Sequence, residues 1–243
     1  MGDFYPMVGN IDIKKVSSWY ADANNTGAML LTMPNIPRPL HTLCPRSIIG
    51  NKAWRCYRKE CIKRAKYVCE VCGKKLTYNA RSHELYTYCY LTGTATFQRC
   101  VCLCNTCHAG IHSGHSITQF KHGEISKGRL LEIIENAFRI VWEYNCSHTN
   151  QEPLRLYKSF SDCLKVPEIH DEVAALIKKY DIKFYKEDSR YAARWCDWHL
   201  IYGNATYTTK FKKYEDWDKA MNIKREARPI QIIVNNQLVE VSK

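Results

Sequence analysis

Four cysteines and three histidines carry the chemistry that this sequence advertises. Cys69 and Cys72 form one Cys-x-x-Cys pair, and Cys104 and Cys107 form a second, with 31 residues between Cys72 and Cys104. Two intervening residues let both sulfurs of a pair reach one ion while backbone amides turn toward the thiolates. Gly73 suits the tight turn that follows the first pair. Four thiolates make a closed tetrahedral set with no position left for water or substrate, so the expectation is a structural zinc ion. Cys100 and Cys102 alternate with Cys104, so in a strand all three share a face. Cys102 is therefore an alternative to Cys104, but the spacing to Cys107 and the His that follows it favour Cys104.

His108 and His112 are four apart and begin directly after the second pair. On a helix this spacing puts both imidazoles on one face, as two ligands of one metal require. His83 lies between the two cysteine pairs and is followed by Glu84. Imidazole ligands admit Zn2+, Mn2+, Ni2+ or Mg2+, and spacing does not choose among them.

The elements that must position these residues can be read from periodicity. Residues 51–66 read as a helix whose Trp54, Tyr57, Cys61, Ile62 and Ala65 recur at helical spacing. Its other faces are basic, with Arg55, Arg58, Lys59, Lys63, Arg64 and Lys66. A second helix is expected over 127–145, capped by Ser126, with Leu130, Leu131, Ile134, Phe138 and Val141 buried. Pro167 opens a third, with Ile169, Val173, Leu176, Ile177 and Tyr180 on one face. Residues 198–207 predict a β-hairpin with a Gly-Asn turn, and a short helix over 214–221 and an apolar strand over 230–234 follow. The Pro-rich stretch from Pro34 to Pro39 reads as an extended arm lying on another surface. These elements divide the chain into an extended arm (1–50), a metal-binding core with flanking helices (51–150) and a C-terminal helical and hairpin region (151–243), the last boundary resting on the polar segment 147–153.

The composition limits the partners. The chain has 243 residues and a formal net charge of +12. Such a field favours polyanions, nucleic acid above all. Arg55, Arg58, Lys59, Arg64, Lys74, Lys75 and Arg99 are the candidate phosphate contacts, and Lys210, Lys212 and Lys213 form a second basic patch. Tyr207, Phe211 and Tyr214 interleave there, with packing their expected role. Thirteen cysteines, an odd number, with no apolar segment near the start, point to a reducing cytoplasm in which close cysteines bind metal. No membrane span is expected. His148, His170 and His199 are isolated and read as structural or surface residues.

The stretch from Cys69 to Gly114 resembles the HNH (ββα-metal) endonucleases, most closely the phage-encoded group whose first histidine sits in a His-Glu-aromatic strand. The arm around Ile36-Pro37-Arg38-Pro39-Leu40, the basic helix and the late hairpin with Trp198, Gly203 and Tyr207 are also similar to that group. The resemblance implies an α+β fold in which a zinc-pinned ββα-metal core carries flanking helices. It implies that His83 is the general base that activates water. His108 and His112 would hold a divalent cation against the scissile phosphate of DNA, with RNA not excluded as substrate. Two positions differ from the family pattern. Ser82 stands where a His or Asp ligand is usual, which leaves open a register in which His83 is a ligand and Glu84 the base. Arg99 stands where the middle Asn is expected; it is a candidate phosphate grip, with Gln98 or Asn79 left to orient His83. A second expectation, of a different class, is a catalytically degenerate, zinc-stabilised module that binds nucleic acid or a host protein. Dimerisation is left open.

Overall fold

Two segments with period-two alternation build the centre of the molecule. In the computed structural model, which describes residues 27–34, 36–77, 79–156, 158–184, 193–226, 230–234 and 237–241, they form strands β1 (Arg81–Cys89) and β2 (Thr94–Leu103), paired antiparallel. Successive side chains point to opposite faces of such a hairpin. One face carries His83, Leu85, Val101 and Leu103. The other carries Ser82, Glu84, Cys100 and Cys102. The register slips between Leu85 and Tyr86, a bulge that bends the hairpin.

Each face is covered by its own layer. Helix α1 (Pro45–Arg64) packs Trp54 and Cys61 on Cys100 and Cys102. The helix is broken at Gly50 (φ 80°), and of the predicted stretch 51–66 residues 51–64 are helical, with Ala65 as the C-cap. Helices α2 (Asn105–Ile111), α3 (Ser113–Lys121) and α4 (Lys127–Ser147) cover the opposite face. Ser126 caps α4 by accepting the amide of Arg129 (3.2 Å). Leu130, Ile134, Phe138 and Val141 are buried as expected, and Leu131 lies at the edge of that core. Burying such a side chain contributes about 1.5–3 kcal/mol each, so this stripe anchors α4 firmly.

The segment beyond 150 belongs to the same core. Leu156, Phe160, Cys163, Val166 and Ile169 share a core with α4 and with Ala28, Leu30 and Leu31, as does Val173 of helix α5 (His170–Lys179). The polar stretch 147–153 is exposed, and residues on both sides of it share this core. Strand β3 (His199–Tyr202) then adds to β2 in parallel, and β4 (Ala205–Thr208) follows by the Gly203-Asn204 turn, giving a four-stranded sheet in the order β1-β2-β3-β4. The chain ends with helix α6 (Tyr214–Glu226) and a two-stranded sheet of β5 (Ile230–Val234) and β6 (Gln237–Val241). The whole is mixed α+β.

Where it is described, the region expected as an extended arm contains helical segments. Residues 1–26 lie outside the described residues. Gly27–Thr32 form a 3-10 helix that sinks Leu30 and Leu31 into the main core. Apolarity at these two positions outweighs the irregular composition around them. Pro37–Leu40 do lie on another surface: Leu40 packs near Tyr86 and Tyr90, and the Arg38 guanidinium stands over the rings of Tyr214 and Trp217. Among the described residues, no helix is long and apolar enough to cross a membrane.

Candidate metal centres

The first cysteine pair sits in a knuckle between α1 and β1. The amide of Cys69 donates to the Lys74 carbonyl (2.9 Å), and that of Gly73 to the Cys69 carbonyl (2.9 Å). Gly73 takes a left-handed conformation (φ 70°), which lets the loop reverse. The second pair opens α2, where Cys104 is the N-cap and its sulfur accepts the amide of Cys107 (3.3 Å). Glu70 fastens one pair to the other. Its amide donates to the Cys102 carbonyl (2.8 Å), and its carboxylate accepts the Cys102 amide (2.8 Å) and the Arg99 guanidinium (2.5 Å).

The sulfurs of Cys69, Cys72, Cys104 and Cys107 lie within 4.8 Å of one another, so the four could hold a metal ion such as zinc. Cys72 and Cys104 sulfurs are 3.9 Å apart, close to the spacing of about 3.8 Å that tetrahedral ligands at about 2.3 Å from zinc would have. Their proton affinities diverge. Hydrogen bonds from Cys104 and Cys107 hold the Cys69 thiol well below its ordinary value. Burial pushes Cys72 up to about 11. Hydrogen bonding to Cys104, then to Cys69, raises Cys107. Sulfurs this close cannot all ionise on their own, and a cation removes the conflict. Cys100 and Cys102 stay outside this set, under α1, because Cys104 has left the strand to cap α2.

The second centre assembles from three elements. His83 comes from β1, His108 from α2, and His112 from the junction of α2 and α3. Their ligand nitrogens also lie within 4.8 Å of one another. Ring centroids are 4.7 Å apart for His83 and His112, 4.8 Å for His108 and His112, and 5.6 Å for His83 and His108. None of the three rings has a hydrogen-bond partner among the described residues, so their nitrogens stand uncommitted. Burial, then the neighbouring His112 and His108, holds His83 well below its ordinary range. His108 is lowered to about 4, chiefly by burial and then by the charges of His112, Arg81 and Arg58. His112 is lowered by burial and by His115. All three are therefore neutral near pH 7, the form that accepts a metal or a proton.

The remaining candidates are distributed around these centres. Glu84 does not join His83. Strand alternation turns it to the α1 side of the hairpin, where burial raises its carboxyl despite the charges of Arg46 and Arg58. The register that would make Glu84 a base beside His83 therefore lacks the geometry. Ser82 is also on that side and accepts a bond from Arg58 Nε (2.7 Å). Arg99 is paired with Glu70 and serves the knuckle. Arg64 donates to the Cys100 carbonyl (2.7 Å). Arg55, Lys59, Lys74 and Lys75 are exposed. Gln98 bonds Thr87 (3.0 Å) rather than His83, and Asn79 is exposed in a turn. Among the isolated histidines, His199 bonds Thr94 and the Asp197 carbonyl, His170 the Leu164 carbonyl, and His148 stacks on Tyr144. In the second basic patch, Phe211 is buried with Trp195 and Trp217, under Lys210.

Two further residues, Glu70 and Arg81, belong to this region. Glu70 lies inside the first Cys-x-x-Cys pair. Arg81 lies two residues before His83, so on a strand it shares that face, and its Nε donates to Asn105 Oδ1 (2.7 Å). No family model matches the chain, and comparison with curated proteins and with solved structures gives no match either.

Proposed function

We propose that this protein is a metal-dependent endonuclease of the HNH type that hydrolyses phosphodiester bonds of DNA. The convergence of His83, His108 and His112 within 4.8 Å, on three elements pinned by the four-cysteine knuckle, carries this reading. A hairpin followed by a helix, with one histidine on the first strand and two on the helix side, is the arrangement the resemblance calls for. The net charge of +12 supports a polyanionic substrate.

Within this reading the four cysteines would hold zinc, which would tie the knuckle before β1 to the start of α2. The neutral rings of His108 and His112 would hold a divalent cation, Mg2+, Mn2+, Ni2+ or Zn2+. Bound there, the cation would supply charge neutralisation at the scissile phosphate. His83 stands opposite these two rings. Its ring is neutral at pH 7 and receives the proton of the attacking water.

A second reading draws on Ser82, whose hydroxyl is turned away to Arg58 and offers no ligand. In it the protein binds nucleic acid or a host protein without cutting. Plasmid cleavage separates the two, with each of the four metals added in turn and His83→Ala alongside. Metal-dependent nicking that His83→Ala abolishes, with zinc content unchanged, is the expected result. No cutting with any metal, but a salt-sensitive shift of DNA, overturns the nuclease reading in favour of the second.

A further inference from the structure

We propose that Tyr67 and the lysines around it form a stacking site for an unpaired nucleotide, the ring covering the base and Lys66, Lys74 and Lys75 meeting the flanking phosphates. The inference rests on the polyanionic substrate of the reading above and on no hydrolytic step.

The site begins with the way α1 stops. After the C-cap Ala65, the amide of Lys66 donates to the Lys63 carbonyl (2.8 Å) and that of Tyr67 to the Ile62 carbonyl (3.1 Å). This pair of bonds defines a left-handed helix ending in which glycine is usual at the first residue past the cap. Here a lysine takes that position (φ 51°) and a tyrosine the next (φ 58°). Two successive residues with side chains are costly in the left-handed region, and strain of this kind concentrates at functional positions. Tyr67 is 43% exposed, and its ring has no aromatic neighbour or side-chain hydrogen bond among the described residues.

The backbone brings two further lysines beside it. The Tyr67 carbonyl accepts the Leu76 amide (2.7 Å), the Cys69 amide donates to the Lys74 carbonyl (2.9 Å), and Val68 pairs antiparallel with Lys75. Residues 67–69 and 74–76 are therefore the two sides of one narrow ribbon, closed by the cysteine knuckle. Opposite Cα atoms in such a ribbon lie about 4.5–5.5 Å apart. Lys66, Lys74 and Lys75 are exposed, and none of them has an ion pair among the described residues. The nearby carboxylates are committed elsewhere, Glu60 to Lys63 (3.1 Å) and Glu70 to Arg99 (2.5 Å). Uncompensated positive charge around an exposed ring is the combination that holds single strands, through their phosphates and through stacked bases. In a duplex both faces of a base are covered by its neighbours, so an unpaired nucleotide is the occupant that fits.

The test is fluorescence anisotropy of a labelled oligothymidylate of about 12 nucleotides, single-stranded or annealed to oligoadenylate. The full-length, zinc-loaded protein is used with no added divalent cation. Tyr67 is exposed, so its variants should fold and keep their zinc. Tyr67→Leu is expected to weaken single-strand binding about five- to a hundredfold and to leave duplex binding unchanged. Tyr67→Phe keeps the ring and should bind as wild type does. Replacing Lys66, Lys74 and Lys75 together by Gln should lower the slope of log affinity against log salt by about two. Lys66→Gly relieves the left-handed strain, so it should raise the urea midpoint while weakening single-strand binding. A lysine that only ends the helix would give the first change without the second. Equal affinity of wild type and Tyr67→Leu for the single strand overturns the proposal, as does an equal loss on the duplex, or a wild type that binds no single strand. Plasmid nicking with Mn2+, run in parallel, separates this site from the nuclease reading. Single-strand binding that depends on the ring, with no nicking by any of the proteins, would keep the stacking site and dismiss the nuclease. Nicking by a wild type whose single-strand binding is indifferent to Tyr67 would do the reverse.

Discussion

Asn136, in the middle of the longest helix, donates its side-chain amide to the sulfur of Cys107 at 3.6 Å. The cysteine knuckle is thus joined directly to the main core, because Asn136 shares α4 with Ala137 and Phe138, both fully buried. Outer donors of this kind orient a ligand and moderate its charge. Asn136→Leu should weaken zinc retention about 10–100-fold, read as faster transfer of the metal to a chromophoric chelator. Cys107→Ser should go further and lower the melting temperature, since metal binding at such a site is folding free energy. Zinc content and melting temperature both equal to wild type in Cys107→Ser would show that the four sulfurs hold no ion.

A second expectation concerns Glu70. Its carboxylate accepts both the Arg99 guanidinium and the Cys102 amide, and both charged side chains are only about one-fifth exposed, at 21% and 19%. Glu70→Gln removes the negative charge that faces the largely buried Arg99 guanidinium. The expected loss is about 1–3 kcal/mol in urea unfolding. Arg99→Met should cost less, because the carboxylate retains the Cys102 amide. Equal losses in the two variants would contradict this ordering.

The pH dependence of stability can be assigned at His41. Trp217 Nε1, which can only donate, donates to His41 Nδ1 (3.1 Å), so the neutral ring carries its proton on Nε2 and donates it to the Ile36 carbonyl (3.2 Å). Burial first, and the Arg38 charge after it, lower the affinity of this ring for a second proton against the raising effect of the Ile36 carbonyl. The folded value lies below the unfolded value of about 6.5, so the unfolded chain binds the proton first. Stability from this contact is complete above about pH 6.5 and is lost as the pH falls from there through the lowered folded value. Urea unfolding of wild type and His41→Gln between pH 7.5 and 5 checks the sign. The wild type should lose more stability than the variant over that window, and parallel curves would refute the assignment.

Much of this architecture is legible in the residue types. The stripe of α4 and the Pro167 start follow from periodicity and capping, and the i,i+4 spacing of His108 and His112 survives as adjacent rings. What spacing does not supply is which face of β1 meets which layer. His83 and Glu84 are neighbours in sequence, and only the packing of α1 on one side and α2 on the other decides that His83 joins the histidines. The same limit hid Arg81: its partner Asn105 is 24 residues away, and nothing local marks the pair. Leu30 and Leu31 end the apolar run Ala28-Met29-Leu30-Leu31, which is too short to show a period and so does not announce a buried helix. The loop Leu91-Thr92-Gly93-Thr94 has ordinary turn composition, and its significance comes entirely from the strand that docks beside it.

That docking makes Gly93 the most sensitive turn position. Its φ is 70°, where a side chain is disfavoured. A Cβ there would lie 3.0 Å from Ala193 Cβ, from the Asp197 carbonyl carbon and from the Trp198 nitrogen. The Gly93 carbonyl also accepts the amide of His199 (2.9 Å), the first residue of β3. Gly93→Ala should therefore cost about 2–4 kcal/mol and loosen β3, exposing the otherwise buried Trp198. Urea unfolding gives the energy, and red-shifted tryptophan emission under native conditions gives the location. Adding Ala193→Gly removes one of the three clashes. It should restore only part of the loss, because the other two involve backbone that cannot step aside. Full recovery in that double variant would mean that the side-chain clash alone matters, and that β3 is free to shift against the turn.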